Sequence, residues 1–193
     1  MGFSTNDTET RDKWIIEIVE KGSVGEYTSH VLESKDKVHI AYFDYINGDL
    51  KHAKSGPDGW IIERVDQEGT VGQYLSIAKD EGGNIYISYN DHGKNRLKMA
   101  VFDGNRWNFE VVDYEPFASL DTSIFVDAPG KVYISYYNFN LGYLKLAVRD
   151  MCTPSGYIRA IVPIGLCEQS VESGGAPADP AIGTDPFGHA FIG

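Results

Sequence analysis

The chain is poor in cysteine, in basic charge and in long apolar runs, and each scarcity closes off a class of function. Two cysteines in 193 residues, Cys152 and Cys167, cannot staple a disulfide framework, and they stand in no CxxC or Cys/His spacing that would bind zinc. A bridge between them would contribute about 3 kcal/mol in the chain-entropy picture. An expected strand at Tyr157 to Val162 separates the pair, so the sequence leaves that disulfide open. Seventeen Lys and Arg against 28 Asp and Glu give a formal charge of −11, which repels polyphosphate and anionic headgroups, so nucleic acid is not an expected partner. No apolar run approaches the ~18 residues of a membrane-spanning helix. The opening segment Met1 to Lys13 lacks the apolar core of a signal peptide, so neither membrane insertion nor an address is legible. HExxH, GxSxG, P-loop and EF-hand patterns are missing as well, and no metal or cofactor is expected.

What the chain does have is aromatics and glycine. Twelve Tyr, nine Phe and three Trp beside 21 Gly suit many short strands joined by tight turns, because aromatic rings fit a pleated surface and glycine supplies positive φ. Self-comparison then exposes a repeat. The segments KVHIAYFD, NIYISYND and KVYISYYN start at residues 37, 84 and 131, two steps of 47. Leu50-Lys51, Leu97-Lys98 and Leu144-Lys145 keep the same period, as do Ala53, Ala100 and Ala147; Trp14, Trp60 and Trp107 recur at 46 and 47.

Each repeat resolves into four strand-sized runs. In the second these are about Ser76 to Asp80, Ile85 to Tyr89, Leu97 to Phe102 and Trp107 to Asp113. Hairpin chemistry at Asp80 to Asn84 and at Asp91 to Asn95 predicts an antiparallel meander. The second run of each repeat is apolar or aromatic at successive positions, so both faces of the sheet need cover. Sheets packed radially against one another supply it, and one four-stranded unit per repeat of this length is the β-propeller period. The sequence therefore predicts an all-β, single β-propeller domain of about three and a half blades over 1–193. Blade 1 covers about 27–66 with an extra N-terminal strand at 14–19, blade 2 covers 74–113, and blade 3 covers 121–162. A partial blade 4 follows at 179–193, where Asp185 to Gly193 matches Asp127 to Ser135 with a larger offset of 58.

The pattern xVGxYxSxxxDxxGxxHIxYxDxxxGxLKxA followed by Trp resembles the uncharacterised extracellular propeller repeats of bacterial and archaeal surface proteins, which are compared with sialidase-like and YVTN-type propellers. The resemblance implies an extracellular or cell-surface location. A sialidase-like hydrolase should also carry SxDxGxxW turns and three clamping arginines. Arg11, Arg64, Arg96, Arg106, Arg149 and Arg159 fall mostly at third- and fourth-strand positions instead.

Candidate site residues follow from the period. Tyr27, Tyr74, Asp121 and Asp179 stand at the start of each first strand, where a propeller places its channel mouth. Two aromatics and two carboxylates there can stack on a sugar ring and accept its hydroxyl protons. The competing reading packs the tyrosines between sheets and uses the carboxylates as turn caps. Asp44, Asp91 and Asn138 follow each second strand, with Lys51, Lys98 and Lys145 behind them. They are expected to bond the hairpin backbone and pair with those lysines, a scaffold role repeated in every blade. Ser29, Ser76 and Ser123 recur too, so none reads as a nucleophile, and the long segment Pro163 to Asp179 is a candidate partner loop.

The leading expectation is a binding or scaffold propeller without catalysis, taking a glycan or protein ligand at the channel mouth. The alternatives are a carbohydrate-active hydrolase or lyase using Asp121 and Asp179 as an acid/base pair, and a fragment of a larger propeller with no activity of its own. A homo-oligomer completing the ring is the further expected partnership.

Overall fold

A computed structural model describes residues 15–116, 119–128 and 130–149, together with the backbone of three short strands at Arg159–Ala160, Ile182–Thr184 and Ala190–Ile192. The described elements are all strands. The chain divides into two compact units, residues 1–162 and 163–193.

The first unit holds three antiparallel meanders in which each strand pairs with the next in sequence. The first sheet comprises β1 (Val24–Ser34), β2 (Lys37–Asp44), β3 (Asp49–Gly56) and β4 (Gly59–Asp66). The second comprises β5 (Val71–Lys79), β6 (Ile85–Asp91), β7 (Arg96–Phe102) and β8 (Trp107–Asp113). The third comprises β9 (Leu120–Val126), β10 (Val132–Asn138), β11 (Tyr143–Arg149) and the short β12 (Arg159–Ala160). No sheet among the described residues closes on itself.

Two apolar layers join the sheets. Ala41, Leu50 and Val65 of the first meet Leu75, Ile77, Ile85, Ile87 and Tyr89 of the second. On the opposite face, Tyr86, Leu97, Met99 and Val112 meet Ile124, Val126, Val132, Ile134 and Tyr136 of the third. Alternation along β6 thus sends Ile85, Ile87 and Tyr89 to one neighbour and Tyr86 to the other, and every residue of β6 is buried. The unalternating apolar second run in the sequence is a strand covered on both faces, each large side chain contributing about 1.5–3 kcal/mol on burial.

The first strands β1, β5 and β9 lie side by side across the two interfaces. Each starts slightly before the sequence reading placed it, at Val24, Val71 and Leu120, and each contains a register shift against its partner. The period-2 pattern breaks at that bulge, which hid the earlier segment of each strand.

The extra N-terminal strand expected at 14–19 is not present: Ile15 to Lys21 run without strand pairing, and Ile15 and Ile16 are 86% and 89% exposed. A fourth strand of a meander hydrogen-bonds to a third, and no third strand precedes it among the described residues. The segment instead lies over the outer face of the first sheet, bordering an open groove of about 440 Å³ between Ile18 and Val19 on one side and Val38 and Ile40 on the other. The outer face of the third sheet is also open, with Phe125, Tyr137 and Leu144 exposed.

The second unit contains the hairpin β13 (Ile182–Thr184) and β14 (Ala190–Ile192). Its pairs Thr184 with Ala190, Gly183 with Phe191 and Ile182 with Ile192 reproduce the pairs Val126 with Val132, Phe125 with Tyr133 and Ile124 with Ile134 of the third sheet. The offset read from the sequence is thus the offset of the backbone register.

Candidate functional site

Tyr27, Tyr74 and Asp121 occupy the bulges of β1, β5 and β9, inside the strands rather than at their starts, and all three have left-handed backbones, with φ of 51°, 52° and 51°. A side chain in that region costs about 1–2 kcal/mol, more readily tolerated by Asp than by Tyr. The same unfavourable conformation at three steps of one repeat marks a device of the fold, which adds one residue to the first strand of each sheet.

The row is continuous. The Tyr27 and Tyr74 ring centroids are 4.6 Å apart with planes tilted by 48°, and Phe43 meets Tyr27 edge-on at 6.2 Å. Tyr27 is 37% exposed. Burial, with hydrogen bonding to Tyr74 and the charges of Glu26 and Asp121, pushes its phenol up to about 12, so it is a neutral hydroxyl at physiological pH. Asp121 is exposed. The structure therefore brings together three of the four expected channel-mouth residues; Asp179 lies outside the described residues, as do Cys152, Cys167 and the segment Pro163 to Asp179.

Asp44, Asp91 and Asn138 cap their hairpins as expected. Asp44 accepts from the backbone N–H groups of Ile46 and Asn47, Asp91 from that of Lys94, and Asn138 from that of Leu141, at 2.9–3.1 Å. Their expected pairing with the lysines behind them needs correction. Only Lys51 approaches its turn carboxylate, at 3.8 Å from Asp44, and the lysines serve a different contact.

That contact joins one sheet to the next. Asp66, at the end of β4, accepts from the Tyr89 hydroxyl at 2.7 Å and from Lys98 at 2.5 Å on the second sheet. Asp113, at the end of β8, accepts from Tyr136 at 2.7 Å and Lys145 at 2.5 Å on the third. Glu20, in the N-terminal segment, accepts from Tyr42 at 2.5 Å and from Lys51 on the first. Burial raises the Asp66 and Asp113 carboxyls, but the Lys and Tyr hydrogen bonds outweigh it and hold both below the usual carboxylate range. Burial and the same carboxylates push the phenols of Tyr42, Tyr89 and Tyr136 up. A chelated carboxylate between two sheets is a latch, and the sequence carried its signal: Glu20, Asp66 and Asp113 follow one another by 46 and 47, in step with the tyrosines and lysines.

The serines form a second latch. Ser29 accepts from the backbone N–H of Ile77 at 3.3 Å, and Ser76 from that of Ile124 at 3.2 Å, each 48 residues on. Thr122 donates to the Tyr74 carbonyl at 2.7 Å, tying the row itself together. These bonds give the serines a scaffold role between adjacent sheets.

No group of three or more His, Cys, Asp or Glu side chains is arranged to hold a metal ion, and no helix is long and apolar enough to cross a membrane, among the described residues. No protein-family model and no curated protein matches the chain.

Proposed function

We propose that the three sheets are consecutive blades of a β-propeller and that the row Tyr27, Tyr74 and Asp121 is the ridge on which it binds a glycan. The observation that carries this reading is the row itself: two hydroxyl-bearing rings with centroids 4.6 Å apart, followed by an exposed carboxylate, on the adjacent first strands of the three sheets. Aromatic faces stack on the apolar face of a sugar, while phenol and carboxylate take its hydroxyl hydrogen bonds.

Radial packing is supported by the repetition of one interface: the same Tyr, Lys and carboxylate latch and the same Ser to backbone bond recur at each step. The exposed Phe125, Tyr137 and Leu144 face and the groove beside Val38 and Ile40 are where such a ring places further sheets, from this chain's protein or from a second copy. An extracellular or surface setting and kinship with the surface-protein propeller repeats fit this reading.

A glycan array, followed by calorimetry on Tyr27→Ala, Tyr74→Ala and Asp121→Ala, tests it. Loss of binding in these variants is expected; unchanged binding in all three removes the ridge from the account.

A further inference from the structure

The first sheet contains a polar chain, buried at its two histidines, that breaks the repeat. Glu33 Oε2 lies 3.0 Å from His39 Nε2, His39 Nδ1 lies 2.8 Å from His52 Nε2, and His52 Nδ1 lies 2.9 Å from Glu63 Oε1. One residue from each of β1, β2, β3 and β4 takes part, so the chain crosses the whole sheet. Both histidines are 3% exposed, their rings stack at 5.0 Å, and the second sheet closes the site with Trp107, edge-on to His52 at 5.4 Å.

The other sheets show what the repeat ordinarily places here. Asp80 and Tyr86 replace Glu33 and His39, joined by a phenol to carboxylate bond of 3.0 Å, and Met99 replaces His52. Asp127 and Tyr133 do the same in the third sheet, at 3.3 Å. A cluster required by the scaffold would recur; this one does not.

Proton counting gives its chemistry. A ring nitrogen facing an ionised carboxylate must donate, which places protons on His39 Nε2 and His52 Nδ1. Two bare nitrogens repel at hydrogen-bond distance, so the His39 to His52 contact needs a third proton and has room for only one. We infer that the Glu33, His39, His52 and Glu63 chain holds three protons on its four ring nitrogens, with one positive charge on the histidine pair, and acts as an acid-sensitive clamp across the first sheet.

The surrounding charges are Glu33, held at about 2 by hydrogen bonds from His39 and Lys54, with Lys37 also on Glu33 at 3.4 Å, Lys54 on Glu33 at 3.0 Å, and Glu63 on His52. Glu33 stays ionised through mild acid, so its bond to His39 persists while a fourth ring proton, in the His39 to His52 contact, has no acceptor. Burial, opposed by Glu63 but joined by the charge of His39, lowers the affinity of His52 for that proton. The sign follows. The unfolded chain binds one more proton than the folded one below the ordinary histidine value of about 6.5 and one fewer above it, so the clamp's contribution is greatest near that pH, is lost as pH falls below it and declines again as pH rises.

The ordinary repeat supplies the control, since Glu33→Asp, His39→Tyr and His52→Met together restore the Asp, Tyr and Met of the second sheet. Between about pH 6 and 5 the unfolding constant of the wild-type chain is expected to rise by up to about tenfold per pH unit relative to that triple variant. Equal pH dependence of the two overturns the clamp. Long-range ¹H–¹⁵N NMR of the wild-type imidazoles at pH 5.5 reads the proton count directly, whether or not the variant folds. Three ring protons on the pair are expected, and either two or four contradict the inference.

Discussion

Asp66 offers the sharpest test of how the sheets are joined. Its carboxylate and the Lys98 ammonium each retain only 7% side-chain exposure, and the Tyr89 hydroxyl that it accepts from is fully buried. Asp66→Ala leaves a buried charge and a buried donor without their acceptor, a loss of about 3–5 kcal/mol. Against the roughly 5–15 kcal/mol that a domain of ordinary stability possesses, this is a large fraction. The compensated variant Asp66→Leu with Lys98→Met and Tyr89→Phe removes all three polar groups and restores apolar contact, and it is expected to recover most of that loss. Urea denaturation with a shared m-value measures both. If Asp66→Ala costs under about 1 kcal/mol, or if the compensated variant is no more stable than the single one, the latch is not what holds these sheets together.

Three further predictions concern the same interfaces. Ser76→Ala removes the acceptor for the Ile124 N–H and is expected to cost about 1–3 kcal/mol in urea denaturation, with Ser29→Ala acting likewise through Ile77. Gly72 and Gly25 are repeat-equivalent and both have positive φ, but a Cβ at Gly72 would meet the Leu50 Cα and Cβ at 2.9 Å while one at Gly25 meets nothing within 4 Å. Gly72→Ala should therefore be the more damaging in thermal melts, by about 1–3 kcal/mol of overpacking beyond the backbone strain common to both. Asp66 and Asp113 have depressed folded-state values, so their contribution is present above the unfolded carboxylate value of about 3.9 and is lost as pH falls below it. The urea midpoint of Asp66→Asn with Asp113→Asn should consequently depend less on pH below about 4 than that of the unmodified chain.

Much of the sheet architecture was legible because the repeat aligns without gaps: the second, third and fourth strands of the second repeat fall close to their sequence-read limits at either end. The first strands were harder to read because the bulges at Tyr27, Tyr74 and Asp121 interrupt their alternation. The 14–19 strand was read from Trp14 alone, although a strand needs a partner as well as a pattern. Its neighbour Glu20 nonetheless makes the contact that Asp66 and Asp113 make. Lys51, Lys98 and Lys145 were assigned to the turn residues Asp44, Asp91 and Asn138, whereas their partners lie most of a repeat away, a relation visible only as a shared period. The histidine chain was invisible for the opposite reason: His39 and His52 differ from the repeat, and their separation in sequence becomes adjacency only through the β2 to β3 register.

The ridge is tested most directly by replacing its tyrosines with glycine, the residue suited to their backbone. Tyr27→Gly with Tyr74→Gly removes both rings while relieving left-handed strain worth about 1–2 kcal/mol per site. Urea denaturation and calorimetry against a glycan bound by the wild-type chain, run on the same preparation, separate a binding role from a packing role. The account predicts stability within about 1 kcal/mol of the parent, from strain relief offsetting lost ring contact, together with loss of glycan binding. A protein destabilised well beyond that, yet binding the glycan as tightly as the parent, would contradict it.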